Sequence, residues 1–159
     1  MPVMELQKLI HAPIERVFDL ARSIDLHVAS TAQTGERAVG GVTTGLIGLG
    51  QEVTWRAIHF GVTQQLTSRI TEFNRPEYFR DSMVRGAFKR FDHDHRFVQN
   101  AGSTIMTDRF DYTAPFGLLG RLADRLFLQR HLERLLEARN RVIKDAAESD
   151  AWRRYLPVK

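Results

Sequence analysis

The spacing of apolar residues changes near Pro115, and this change constrains the fold more than any other feature of the chain. Before Pro115, apolar residues recur at every second position in several segments, which is the period of a strand with one buried face. After Pro115, they recur at the three- and four-residue spacing of a helix. The pattern predicts an α+β arrangement in which an antiparallel sheet packs against a long C-terminal helix.

Segments of period two, separated by turn residues, locate the strands. A first strand is predicted over residues 3–10, before Ala12 and Pro13, and helical spacing from Pro13 and around 24–29 predicts two short helices. Further strands are predicted at 53–59, 66–71, 78–84, 88–99 and 103–112. We interpret the glycine-rich segment 40–50 as a tight connection between strands, because it lacks the Lys-Ser or Lys-Thr pair of a phosphate-binding loop.

The helical pattern after Pro115 predicts one long amphipathic helix, bent near residues 127–128. Its apolar positions are Leu118, Leu119, Leu122, Leu126, Leu132, Leu135, Leu136 and Val142. We expect this helix to lie across the sheet, with a cavity in the gap between the two.

Composition limits the class of protein. A chain of 159 residues with 43% hydrophobic content is suited to one domain, with a core at 3–146 and a tail at 147–159. The absence of cysteine excludes disulfides, thiolate zinc sites and cysteine nucleophiles, and it fits a cytoplasmic location. The sequence has neither a signal-peptide pattern nor an apolar stretch of the roughly 18 residues that a membrane-spanning helix requires. We therefore expect a soluble protein without an integral membrane segment.

The net charge of +4 is small, and the basic residues after Pro115 alternate with acidic ones. This pattern is typical of a solvated helix face, and aromatic residues are not interleaved with the basic ones on one predicted surface. We expect no nucleic-acid partner.

Residues 91–97 carry the clearest sign of chemistry. Strand alternation places Phe91, His93, His95 and Phe97 on one face, so that two imidazoles lie between two phenyl rings. This order is typical of a strand that lines an apolar pocket and uses its imidazoles for orientation or proton transfer. Asp108 on the neighbouring strand is the predicted carboxylate partner.

Three functions of this face remain open. The first is binding of a small hydrophobic or amphipathic ligand such as a lipid, an aromatic compound or a polyketide. The second is cyclase or dehydratase-like catalysis, with His93, His95 and Asp108 as general acid and base. The third is a metal site in which two histidines and Asp108 are ligands, with His59 on the same face. The predicted ligand contacts are Trp55, His59, Phe79, Asp81, Phe91, His93, His95, Phe97, Met106, Asp108, Phe110 and Tyr112.

Packing in the hydrophobic core is the alternative explanation for these residues. Aromatic residues and methionines at period two belong to the core more often than to a ligand site, so we assign at least half of the apolar contacts to packing. Asp81 could be a buried partner of a histidine or an exposed residue of the opposite face. No resident metal and no cofactor is predicted.

Five parts of the chain resemble a bacterial branch of the START-like superfamily, also called SRPBCC or polyketide cyclase/dehydrase and lipid transport. They are His-Phe-Gly at 59–61, Gly-Ala-Phe-Lys at 86–89, His-Asp-His-Arg-Phe at 93–97, Asp108, and Tyr-Thr-Ala-Pro-Phe-Gly-Leu-Leu-Gly at 112–120. The resemblance implies the helix-grip fold, in which a curved antiparallel sheet of six or seven strands wraps around a long C-terminal helix. It also implies a deep apolar cavity, while the superfamily includes carriers, receptors and enzymes, so that the fold leaves the chemistry open.

The C-terminal tail offers a further alternative, a protein-interaction module. Trp152, Tyr155 and Leu156 could pack on a second copy of the chain in a homodimer, cover the cavity, or dock on their own domain. A terminal aromatic segment is more often docked on its own domain, or frayed, than a recognition motif, so we expect one of these two outcomes.

Overall fold

The computed structural model describes residues 2–157. Seven antiparallel strands form one continuous sheet in the order β1-β7-β6-β5-β4-β3-β2. The strands are β1 (Val3–Ile10), β2 (Arg37–Gly41), β3 (Glu52–His59), β4 (Val62–Asn74), β5 (Tyr78–Arg85), β6 (Arg90–Asn100) and β7 (Ser103–Thr113). The helices are α1 (Ile14–Ala21), α2 (Ile24–Ser30), α3 (Gly117–Ala123) and α4 (Gln129–Ala147), with short 3-10 segments at Ala32–Thr34 and Asp150–Arg154. The predicted helix-grip fold is confirmed.

Local sequence explains the two short helices after β1. Pro13 precedes α1, where its fixed φ suits the start of a helix. Ser23 caps α2 by accepting a hydrogen bond from the backbone N–H of Leu26. Val17 and Phe18 of α1 are completely buried, so α1 packs its apolar face against the main core.

The glycine-rich segment differs from the prediction of a tight connection. Between Gly41 and Glu52 the chain forms a long loop that folds back on α2. The carboxylate of Asp25 accepts hydrogen bonds from the Thr44 hydroxyl and the Gly45 backbone N–H. The loop therefore connects the sheet to the helical layer. The spacing of apolar residues along the chain does not predict such a long-range contact.

The C-terminal helical region is long and interrupted, in agreement with the predicted bend. A π-helical segment at Asp124–Leu128 separates α3 from α4. The predicted packing face is wrong for its first half, because Leu118, Leu119, Leu122 and Leu126 are 52–79% exposed. Only α4 lies across the sheet, and it buries Ile143 and Ala147 completely.

The C-terminal tail docks on its own chain. Trp152, Tyr155 and Leu156 pack against the main hydrophobic core, and the guanidinium of Arg16 lies 4.5 Å from the ring centre of Trp152. The aromatic residues that could have contacted a partner protein are therefore packed against the chain itself. No helix within residues 2–157 is long and apolar enough to cross a membrane.

Candidate ligand cavity and its polar cluster

A cavity of about 600 Å³ lies between the concave face of the sheet and α4. Its wall is mostly apolar, and its volume falls within the range of small-molecule sites. Phe60 and Phe116 line the cavity and are 64% and 84% exposed, so they mark its opening. Both adopt positive φ values of 52° and 64°, at the turn between β3 and β4 and at the start of α3. The opening is thus bordered by two sharp turns.

The structure divides the predicted ligand contacts into two groups. The cavity wall includes Trp55, His59, Phe79, Asp81, Phe91, His93, His95 and Phe110. The other four, Phe97, Met106, Asp108 and Tyr112, are buried and are not part of the wall. Whether any of the twelve binds a ligand or acts in catalysis stays a prediction.

Each of the four residues outside the wall has another partner. Phe97 packs edge-on against Phe18 at a ring distance of 5.2 Å, and Met106 belongs to the same core cluster. The hydroxyl of Tyr112 donates a hydrogen bond to Asp124 in the π-helical segment. Asp108 lies behind the histidines. These four residues belong to the face of the sheet that carries the two histidines. However, α1 and the C-terminal helices cover part of that face, so the four side chains do not reach the cavity.

Strand register assembles a polar cluster in the cavity wall. Asp81 on β5 lies directly opposite His93 on β6, and His95 lies directly opposite Asp108 on β7. Directly paired residues in an antiparallel sheet project from the same face. The register therefore brings two carboxylates and two imidazoles from three strands together, and Asp81 faces the histidines rather than the opposite side of the sheet.

Asp108 connects the two imidazoles. Nε2 of His93 lies 3.1 Å from Oδ1 of Asp108 and donates a hydrogen bond to it. Nδ1 of His95 lies 2.7 Å from the same oxygen, although the alignment falls short of a hydrogen bond. The histidine rings are 3.8 Å apart, and His95 stacks on Phe79 at 4.2 Å. The rings are therefore held against one carboxylate and one aromatic face.

Two residues that we did not predict hold Asp108 from the helix side. Nδ2 of Asn140 donates a hydrogen bond of 2.6 Å to Oδ2 of Asp108, and Arg139 approaches Oδ1 at 3.5 Å. Arg139 also donates a hydrogen bond to the backbone carbonyl of Ala21. The sequence contains a signal for this role, because Asn140 stands on the helical stripe formed by Leu136, Ile143 and later apolar residues.

The second carboxylate, Asp81, is less well satisfied. Its Oδ1 lies 3.6 Å from Nδ1 of His93 and 3.9 Å from Nε2 of His95. This oxygen is buried and has no hydrogen-bond partner among the described residues. The side chain as a whole keeps 24% of its exposure and lines the cavity. Asp81 is therefore available to a group that enters the cavity.

Burial and charge determine the protonation states of the cluster. Burial acts to raise the pKa of Asp108, but the two histidines and Arg139 hold this pKa well below its ordinary value. Burial lowers the pKa of His93, and repulsion from His95 lowers it further. Burial also opposes charge on His95, yet the nearby carboxylates of Asp108 and Asp81 raise its pKa. Burial and the neighbouring charges therefore shift the pKa values of the two imidazoles in opposite directions.

A second histidine pair lies elsewhere in the cavity wall. Nδ1 of His59, at the end of β3, is 3.0 Å from Nε2 of His131 on α4. The ring of Phe60 packs on His131 at 4.7 Å. The metal-compatible cluster among the described residues consists of Asp81, His93 and His95, and it includes neither His59 nor His131. His59 is thus separate from the cluster to which the sequence assigned it.

No protein-family model matches the chain, and no curated protein matches it. Several solved structures do match the chain in fold. The protein TTHA0849 from Thermus thermophilus is 18% identical with a TM-score of 0.74, over 92% of this chain and 97% of that chain. Protein CV1439 from Chromobacterium violaceum is 13% identical with a TM-score of 0.71, over 94% and 100% of the two chains.

A plant protein shows the same likeness. Ginseng major latex-like protein 151 from Panax ginseng is 15% identical with a TM-score of 0.66, over 98% of both chains. At such identities a structural likeness establishes the fold, while function depends on the individual site. The chain therefore shares the helix-grip fold of these proteins.

Proposed function

We propose that the protein binds a small amphipathic molecule in the cavity, with the polar end of the molecule against Asp81, His93 and His95. One observation carries this proposal. A cavity of about 600 Å³ with a mostly apolar wall contains a buried carboxylate oxygen, Oδ1 of Asp81, that has no hydrogen-bond partner among residues 2–157. Such an oxygen is costly to bury unless a ligand group satisfies it.

The apolar wall supplies the driving force for binding. Trp55, Leu66 and Leu132 line the cavity from β3, β4 and α4, respectively. Transfer of an alkyl or aromatic group from water onto such a surface is favourable by roughly 25 cal/mol for each Å² of apolar area buried. The resemblance to a superfamily that includes lipid carriers supports the same conclusion.

Intrinsic fluorescence provides a direct test. The chain has two tryptophans, and Trp55 lines the cavity whereas Trp152 lies in the docked tail. In a Trp152→Phe parent, Trp55 is the single reporter. We expect titration with 1-decanol to change its fluorescence with saturation at one molecule per chain. The absence of a saturable change with 1-decanol and with its isomer methyl nonyl ether would contradict the proposal.

Variants that fill the cavity show where the probe binds. Ala57 on β3 and Leu135 on α4 both line the cavity. Ala57→Phe and Leu135→Phe each place an aromatic ring in the space, and we expect each to weaken decanol binding at least about tenfold. Ile58→Phe is the matched control, because Ile58 adjoins Ala57 but is 56% exposed on the other face of β3. Equal affinities in folded filling variants, checked by circular dichroism, would place the probe elsewhere.

The polar end of the ligand is tested by comparing the two isomers. 1-Decanol can donate a hydrogen bond to Asp81, whereas methyl nonyl ether cannot, although the two molecules contain the same atoms. We expect Asp81→Leu to reduce the alcohol-to-ether affinity ratio by a factor of roughly ten, which corresponds to about one hydrogen bond to a charged group. An unchanged ratio would mean that Asp81 does not contact the polar end.

A further inference from the structure

The orientation of the two imidazoles carries an inference that is independent of any organic ligand. The nitrogens that face Asp108 are Nε2 of His93 and Nδ1 of His95, at 3.1 Å and 2.7 Å. The opposite nitrogens, Nδ1 of His93 and Nε2 of His95, therefore both face Asp81. A histidine that binds a metal typically donates its other ring N–H to a carboxylate, which fixes the tautomer and the ring orientation. Here one carboxylate stands in that position for both rings.

The three cavity-side donor atoms lie close together. Oδ1 of Asp81, one nitrogen of His93 and one nitrogen of His95 all lie within 4.8 Å of one another. Tetrahedral zinc has ligand bonds of about 2.0–2.1 Å, so that its donor atoms are about 3.3 Å apart. The Asp81–histidine separations of 3.6 Å and 3.9 Å exceed that value by only a few tenths of an ångström. Side-chain rotations that bring all three atoms to this separation would complete the site.

The surroundings fit a metal site better than a simple ion pair. Oδ1 of Asp81 is buried without a hydrogen-bond partner in the described part of the chain, although two imidazoles are nearby. Asp108 behind the rings is fixed by Asn140 at 2.6 Å and approached by Arg139. Asp108 is thus held in place by α4, while Oδ1 of Asp81 still lacks a hydrogen-bond partner among the described residues.

We propose that Oδ1 of Asp81, Nδ1 of His93 and Nε2 of His95 form a site for one divalent transition-metal ion of the zinc class. Asp108 orients both imidazoles as a positioning residue, and the coordination position left by three protein ligands opens into the cavity. The sequence pattern favours Asp108 itself as the carboxylate ligand, with His59 on the same face. The structure instead assigns the ligand role to Asp81 and places His59 beside His131.

Cobalt is the most direct probe of this site, because tetrahedral Co²⁺ absorbs visible light far more strongly than the aqueous ion. The full chain, stripped of metal with a chelator, is titrated with Co²⁺ and then with Zn²⁺ as a competitor, without any organic ligand. We expect strong visible absorption that saturates at one Co²⁺ per chain and disappears on addition of one equivalent of Zn²⁺. Weak absorption without saturation would overturn the proposal. This result is independent of whether decanol binds.

Variants identify the ligands. We expect Asp81→Asn and His93→Gln each to lower Zn²⁺ affinity at least tenfold, and Asp108→Asn to lower it by roughly 10- to 100-fold. The matched controls are His59→Gln and His131→Gln, which alter the other histidine pair of the same cavity and should leave Zn²⁺ affinity unchanged. Loss of binding in these controls, with retention in Asp81→Asn, would assign the metal to the His59–His131 pair and overturn the proposal. If Asp108→Asn does not fold, the Asp81 and His93 variants decide the question.

Discussion

At the scale of single residues, buried carboxylates in this chain differ in how they are compensated. Asp108 is fully buried and receives hydrogen bonds from β6 and α4. Asp81 has an oxygen without a hydrogen-bond partner among the described residues and faces the cavity. A compensated buried carboxylate fixes local structure, whereas an uncompensated one favours whatever group can satisfy it. This difference underlies both proposals for the cavity.

Asp19 is a third, partly buried carboxylate, and its interactions should make the stability of the fold depend on pH. Its carboxylate accepts hydrogen bonds from Arg22 at 2.8 Å and from Arg75 at 2.7 Å and 3.1 Å. Burial acts to raise the pKa of Asp19, but these hydrogen bonds outweigh burial and hold the pKa below its ordinary value of 3.8. The stabilisation is therefore fully present above about pH 4 and is lost as the pH falls through the folded-state pKa. Glu15 is the other acidic group near Arg75.

We expect Asp19→Asn to be less stable than the parent at pH 7, with a difference that shrinks as the pH falls from about 5 to about 3. Urea unfolding at several pH values measures the free energy of unfolding of both chains. Asp145→Asn, at an exposed position on α4, should be neutral at all of them. A stability difference between parent and Asp19→Asn that did not vary with pH would show that the Asp19 charge does not stabilise the fold.

At the scale of elements, the C-terminal helical region has two parts with different energetic roles. In α3, Leu119 is 76% exposed, whereas in α4, Ile143 is completely buried against the core. The π-helical segment between them changes the direction in which side chains project, because its turns contain extra backbone. A continuous helical stripe in the sequence therefore does not remain one packing face.

The two halves should respond differently to the same truncation. We expect Ile143→Ala to lower the free energy of unfolding by about 2–5 kcal/mol, because it leaves a cavity in the core. Leu119→Ala should change it by less than about 0.5 kcal/mol, since leucine and alanine have similar helix propensities and the position is exposed. Chemical denaturation measures both. A comparable loss for Leu119→Ala would mean that α3 packs as tightly as α4.

At the scale of the whole molecule, the strand order joins the ends of the chain. The first strand pairs with the last, Val3 opposite Asp111 and Ile10 opposite Thr104, and Lys144 of α4 donates a hydrogen bond to the backbone carbonyl of Leu9. Removal of either end exposes the edge of β7 or the face beneath α4. The expected single domain should therefore unfold as one unit.

Two single-tryptophan variants test this expectation. Trp55 reports on β3 at one side of the sheet, and Trp152 reports on the docked tail. We expect Trp55→Phe and Trp152→Phe each to show one urea transition in which fluorescence and far-ultraviolet circular dichroism coincide. Separate midpoints for the two probes within one variant would instead indicate two independently unfolding regions.

Much of the architecture was determined by the sequence itself, because alternation and helical spacing are local properties of the chain. The strand carrying His93 and His95 and the two short helices after β1 follow from such spacing. The bend near residues 127–128 lies in the observed π-helical segment. Local periodicity also identified which face of β6 is buried, since a strand alternates between the two sides of its sheet.

Only the tertiary structure decided which residues meet. Register across three strands made Asp81, rather than Asp108, the carboxylate facing the cavity. The placement of α4 brought Asn140 to Asp108, and it separated His59 from His93 by pairing His59 with His131. These contacts join residues far apart in the chain, so no local pattern encodes them. They depend on how closely the helix approaches the sheet, which the packing of the whole core determines.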